Sequence, residues 1–115
     1  MEHIPFWQAL DALIAGAKIV IDRPAGTQHP RYPDSIYPYD YGYLAGTIAS
    51  DGGGIDVWVG SLPDRRLTGI LCTIDRFKQD TEIKLLLGCT PAEADIICRV
   101  QNSGAMSALL ILRQE

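Results

Sequence analysis

The sequence predicts a mainly β fold of α+β class, a small β-barrel or strongly curved sheet with a helix on each side. Three observations carry this. Short strand-like runs recur along most of the chain, turns rich in glycine separate them, and helical spacing is confined to a stretch near each end. Closure or strong curvature follows because many short strands otherwise leave open edges. With 115 residues, 47% hydrophobic and 21% charged, the chain is sized for one domain over residues 1–115.

From Ile4 to Ala15, the residues Ile4, Trp7, Leu10, Leu13 and Ile14 recur near helical spacing, which predicts an amphipathic helix ending at Gly16. Lys18 to Asp22 is a short β-type run. Pro24, Gly26, Pro30 and Pro33 then forbid a regular helix across a long surface connection. Tyr43 to Ala49 and Ile55 to Gly60 read as two strands joined across a glycine turn. Leu67 to Asp75 and Glu82 to Leu87 read as a second hairpin, with Arg76 to Thr81 as its loop. Thr90-Pro91-Ala92-Glu93 is a helix start: a Thr cap, proline at the first helical position, and Glu three residues after the cap. That helix is expected to run to about Gln101, stopped by Asn102-Ser103-Gly104. Met106 to Leu112 reads as a last strand.

The formal net charge of −4 and the isoelectric point near 5.0 argue against a nucleic-acid surface, because ten scattered Lys and Arg supply no basic patch. No apolar stretch approaches the roughly 20 residues that span a bilayer, and the start lacks a basic segment followed by a continuous apolar one. The chain therefore reads as cytoplasmic. Cys72, Cys89 and Cys98 sit in apolar runs without a Cys-x-x-Cys pair, and read as plain buried thiols.

The stretch with most chemistry is Tyr37-Pro38-Tyr39-Asp40-Tyr41-Gly42-Tyr43, followed by Asp51-Gly52-Gly53-Gly54-Ile55-Asp56. Three glycines let the backbone approach a ligand closely, and two carboxylates flank them. Hard cations such as Mg²⁺ take oxygen ligands from a few carboxylates, waters and substrate phosphates, so the pattern points to metal and phosphate chemistry. Plainer readings stand beside it. Asp-Gly pairs cap hairpins, the tyrosines can pack, Lys84 can snorkel to the surface, and Arg31 can pair with Asp34 or Asp22. His3 and His29 are isolated and read as solvated surface residues.

These residues resemble the soluble family I inorganic pyrophosphatases over about Ile21 to Leu87. Tyr37-Pro38-Tyr39-Asp40-Tyr41-Gly42 matches the family's tyrosine-proline-x-x-tyrosine-glycine segment. Asp51 and Asp56 match the outer acids of its aspartate signature. Asp75 and then Glu82-Ile83-Lys84 resemble a later acidic element, in which Asp80 is the alternative to Glu82. Asp22-Arg23-Pro24 resembles an acidic-x-proline strand end, and Arg31 stands where a phosphate-facing lysine does. The resemblance implies an oligonucleotide-binding-fold-like (OB-like) barrel and Mg²⁺-dependent hydrolysis of pyrophosphate to phosphate. It implies Asp51, Asp56, Asp75 and Glu82 as metal ligands, Asp56 and Tyr41 as catalytic, and Arg31, Tyr37, Tyr41 and Lys84 as substrate-binding.

The chain departs from the family at three places. Gly53 replaces the central acid, thought in the family to help activate the attacking water. A strand-borne arginine after Arg31 has no match, and neither does the family's C-terminal tyrosine-lysine pair. Three function classes follow: a Mg²⁺-dependent hydrolase of pyrophosphate or another phosphoanhydride, a degenerate module that binds metal or phosphate without turnover, and an interaction protein whose N-terminal helix and last strand build a homo-oligomer.

Overall fold

The computed structural model describes residues 1–114. Its elements are α1 (Phe6–Ala15), β1 (Lys18–Arg23), β2 (Asp40–Ala45), β3 (Ile55–Val59), β4 (Leu67–Asp75), β5 (Asp80–Leu87), α2 (Pro91–Gln101) and β6 (Met106–Leu112). The strands form one sheet in the order β1-β2-β3-β5-β4-β6, antiparallel throughout except for the parallel β3–β5 pair.

This is the expected mainly β arrangement with two helices, but the sheet is open. β1 and β6 are its edges and no ladder joins them among the described residues, so the expected barrel closure is not seen. Instead a helix covers each face. The period-two alternation sorts the side chains: Leu44, Val57, Val59, Ile70, Leu85 and Leu87 bury on one face with Trp7, Leu10 and Ile14 of α1. Trp58, Leu71 and Leu86 bury on the other with Ala94 and Ile97 of α2. Asp11 of α1 is held by Arg113 just past β6 in a two-pronged ion pair at 2.8 and 2.9 Å, which ties α1 to the end of the chain.

Two local features set up the functional face. β2 begins three residues earlier than expected and ends at Gly46, whose φ of 84° only glycine adopts without strain. Tyr41 thereby joins Tyr43 as a strand residue on the α2 face. Where β1 meets β2 the register slips between Ile21 and Arg23: Ile21 pairs with Gly42, but Arg23 pairs with Tyr41. This bulge leaves Asp22 exposed and moves Arg23 onto the face of Tyr41. Gly42 is required there, since any Cβ would run into the Val20 carbonyl of β1.

α2 starts as expected, with the Thr90 hydroxyl accepting from the Glu93 N–H at 3.2 Å and Glu93 accepting from the Thr90 N–H at 2.9 Å. No helix among the described residues is long and apolar enough to cross a membrane.

Candidate functional site

Strand register builds a polar row on the α2 face. Tyr43 lies opposite Asp56 and Tyr41 opposite Trp58. On the far side of β3, the parallel pairing of Val57 with Leu85 sets Asp56 beside Lys84, and β4 places Thr73 opposite Glu82. Lys84 was expected at the mouth of an apolar strand and is instead only 6% exposed. Burial of an ammonium is costly unless it is paired. Its Nζ donates to the Tyr41 hydroxyl at 2.7 Å, and lies 3.5 Å from Asp56 Oδ2 and 3.9 Å from Glu82 Oε2. The Tyr41 hydroxyl donates in turn to Asp56 Oδ2 at 2.6 Å. Burial first, and then the negative charge of Asp56, push the Tyr41 phenol far above its usual range, so it stays protonated.

Beside this triad the two hairpin turns meet, with Ser50 Oγ donating to the Thr81 carbonyl at 2.8 Å. The contact brings Asp51 and Glu82 together as a carboxyl pair. Burial, followed by the hydrogen bond to Asp51, pushes Glu82 up to about 7, while Lys84 pulls the other way. Asp51 is held below the carboxylate range, chiefly by the Gly53 N–H that donates to its Oδ1 at 2.9 Å. Of the two, Glu82 is the one that holds a proton up toward neutral pH and Asp51 the one that carries the charge.

Other expected residues are placed differently. Asp75 Oδ1 accepts from the Phe77 and Lys78 N–H groups at 2.9 and 3.0 Å, capping the β4–β5 turn. No hydrogen bond or ion pair joins Asp75 to Asp51, Asp56 or Glu82 among the described residues. Asp80 pairs with Asp75 at the hairpin end, so Glu82 is the acid brought to Lys84. Tyr37 is buried, with its ring 5.4 Å from Tyr41 and 5.7 Å from Trp58, and its hydroxyl accepts from Arg23 Nη1 at 2.8 Å. Arg31 is exposed in the loop before it.

Sequence reasoning missed three residues. Arg23 reaches the face only through the β1 bulge. Lys78 comes in from the β4–β5 turn and acts electrostatically on Asp51. His29, expected as a solvated surface residue, is half-buried and stacked on Tyr37, with centroids 5.9 Å apart and planes 9° apart. Only the closeness of His29 to a proline-bounded, tyrosine-rich loop hinted at this.

Among the described residues no three acid, imidazole or thiol groups stand close enough to hold a metal ion together. The expected set of Asp51, Asp56, Asp75 and Glu82 is thus divided: a pair, an acid tied to Tyr41 and Lys84, and a turn cap. The pair still fits one ion, because Mg²⁺ is commonly held through one or two carboxylates plus waters and substrate phosphates. Burial is the first cause of the rise at Glu82, and the charges of Asp56 and Asp51 that add to it are what a cation there offsets. The opposite face holds an apolar cavity of about 600 Å³ between α1 and the sheet, lined by residues such as Phe6, Leu10, Ile48, Ile74 and Leu109. Thr73 and Glu82 line it too, so the cavity reaches the edge of the polar row.

No protein-family profile matches the sequence, and no curated protein matches it significantly. Solved structures do match. An inorganic pyrophosphatase from Neisseria gonorrhoeae superposes with a TM-score of 0.60 at 17% identity, over 83% of this chain and 81% of that one. The inorganic pyrophosphatase from Helicobacter pylori gives 0.59 at 16%, over 82% and 81%. That from Coxiella burnetii gives 0.58 at 16%, over 80% and 81%. The chain has a pyrophosphatase-like fold.

Proposed function

We propose that this chain, reading as a cytoplasmic protein, is a Mg²⁺-dependent hydrolase of inorganic pyrophosphate that works with one ion at the Asp51–Glu82 pair. The observation that carries the reading is the Asp56 carboxylate, fixed by Tyr41 at 2.6 Å and Lys84 at 3.5 Å beside two more acids on a pyrophosphatase-like sheet. Asp51 and Glu82 would hold the ion, which supplies charge neutralisation and Lewis-acid polarisation of phosphoryl oxygens.

The remaining work falls to the chain's own residues. Tyr41, kept as a phenol, spends its proton on Asp56 Oδ2. Asp56 Oδ1 accepts no hydrogen bond among the described residues and is left to orient a water by accepting its proton. Lys84 balances the acids and presents the same ammonium to a phosphate oxygen. Arg31 and Arg23 meet the far side of the substrate, Arg23 being steadied by the Tyr37 hydroxyl.

A second reading, binding without turnover, is favoured by Gly53 and by the absence of a three-acid group among the described residues. One experiment separates them: phosphate release from pyrophosphate with and without Mg²⁺, beside Asp56→Asn, with calorimetric binding of methylenediphosphonate measured on both proteins. Release that needs both Mg²⁺ and Asp56 supports the hydrolase. Binding without release supports the module, and neither binding nor release removes both.

A further inference from the structure

β6 is an edge strand without the features that keep edges apart. The other edge, β1, carries Lys18, Asp22 and Arg23 and is broken by its bulge. Met106–Leu112 holds no charge and no proline, and runs along β4 without a register shift. Charges, prolines and bulges are the usual guards of an exposed edge. Here the edge instead presents Leu109 at 62% exposure, Ile111 at 41% and Leu112 at 37%.

The backbone shows which part of this edge is open. The Arg113 N–H donates to the Thr68 carbonyl at 3.0 Å, so the odd-numbered residues of β6 face β4 and the even-numbered ones face outward. Two of the outward residues are already satisfied. Met106 exchanges both bonds with Ser103 at 3.1 Å. The Asn102 side chain takes the place of a strand opposite Ala108, accepting from its N–H at 2.9 Å and donating to its carbonyl at 3.1 Å. That leaves Leu110 and Leu112, whose outward N–H and C=O groups meet no partner among the described residues.

Two copies of this segment satisfy each other. An antiparallel pairing centred on Ile111 sets Leu110 of each copy opposite Leu112 of the other and closes four ladder bonds about a two-fold axis. Ile111 then meets its counterpart across the axis on the α1 face, since it lies opposite Ile70. The next pair outward sets Leu109 beside Arg113 of the other copy, where that chain's Asp11 and Trp7 stand. Asp11 neutralises Arg113 within each chain, so the seam brings no like charges together. Leu109 is also a wall of the apolar cavity that includes Ile74 and Ile83, and α1 of the other copy closes that side. Leu109, Ile111, Leu112, Ile74 and Ile83 leave roughly 400 Å² of side chain exposed per copy, about half of the roughly 800 Å² that each partner of a stable complex buries, before the backbone seam and the flank of α1 are counted.

We propose that β6 is a homodimer interface, in which two copies pair antiparallel through Leu110 and Leu112 to make one continuous sheet. The pairing does not depend on the chemistry of the acid pair.

The test is sedimentation velocity of the full chain over roughly 1–100 µM, the range suited to an interface of this modest area. The expected result is a monomer passing into a dimer with no larger species, because a two-fold seam closes on itself. Leu112→Pro removes a donor that only the seam uses, and Ile111→Lys sets like charges across the axis. Each is expected to keep the parent's circular dichroism and to weaken the dimer about tenfold or more. Ile48→Ser, at an 81% exposed position on the rim of the cavity, is expected to leave the dimer unchanged. Ile111→Cys is expected to give a reducible covalent dimer under mild oxidation, which the parent's own thiols do not. A chain that stays monomeric throughout the range overturns the interface, as does open-ended association, a missing Ile111→Cys crosslink, or a dimer that both seam variants leave intact. A dimer lost equally in Ile48→Ser shows adhesion of the apolar face at large and overturns the seam as well.

Discussion

Replacing Gly53 by aspartate restores the one acid of the signature that the chain lacks, and the backbone is already shaped to take it. Gly53 is outside the left-handed region, and the only atoms a Cβ there meets belong to Asp51: Oδ1 at 3.4 Å and the carboxyl carbon at 4.0 Å. The adjacent Gly52, with φ of 87°, is the strained position, and substitution there is not equivalent. Repulsion between carboxylates at 51 and 53 in this exposed turn costs about 1 kcal/mol at a separation of roughly 4 Å in a water-like dielectric. Removing a glycine from the unfolded chain returns about 0.4–1 kcal/mol, so Gly53→Asp is expected to melt within a degree or two of the parent. Activity is a different matter. A placed general base contributes on the order of 10²- to 10⁴-fold, or about 3–5 kcal/mol of barrier. The assay is Mg²⁺-dependent phosphate release from pyrophosphate at saturating metal, with thermal melts in Mg²⁺ and in chelator. The expected outcome is at least a hundredfold faster release and a larger Mg²⁺-induced rise in Tm, since an ion bound only by the folded state stabilises it. A variant that folds, gains Mg²⁺ stabilisation and releases phosphate no faster than the parent would refute the idea that this carboxylate limits the chemistry.

Three further outcomes are expected. Lys84→Met leaves Asp56 and Glu82 facing each other without their shared cation; with both acids partly open to solvent, the loss is about 2–3 kcal/mol by urea denaturation. The Glu82 carboxyl at about 7 is raised above its ordinary 4.5. The folded chain thus binds more protons than the unfolded one between those values, and this contribution is full below 4.5 and lost as pH rises through 7. Allowing for partial exposure, metal-free stability drops by on the order of 1 kcal/mol between pH 5 and 8, and Glu82→Gln flattens that slope. Thr90→Ala removes the hydroxyl that caps α2 and costs about 1 kcal/mol in denaturant without changing phosphate release, because α2 only backs the face that carries the site.

Local signals account for what was readable in the sequence. β4 and β6 fall on Leu67–Asp75 and Met106–Leu112 as the apolar runs indicate, and α2 begins at the capping box. Tyr41, Asp56 and Lys84 are joined by bonds that the resemblance placed within one site. What failed was non-local. Closure of a barrel depends on whether β1 and β6 meet, and no pattern within either strand encodes that. The extent of β2 depended on Gly46 rather than on the apolar residues beyond it. Arg23 was hidden because one extra residue in a bulge reverses which face a side chain takes. His29 owes its position to stacking on Tyr37, eight residues away, and to the Arg31 and Tyr32 N–H groups that bond its ring.

Charge balance bears on how the proposed hydrolase would work with fewer acids than the family signature supplies. Lys84 already offsets one of the two acids it touches, and Glu82, at about 7, is near half-protonated at neutral pH. The inner cluster of Asp51, Asp56, Glu82 and Lys84 thus carries roughly one to two negative charges, which one divalent ion neutralises. Pyrophosphate brings roughly three to four more, given phosphate groups of about −1.5 to −2 each. Arg23 and Arg31, proposed above to meet the far side of the substrate, would offset part of that charge. With glycine at position 53 the cluster's demand for metal falls to what a single divalent ion meets. The same arithmetic sets the direction of the Gly53→Asp result: one more carboxylate strengthens the hold on divalent metal.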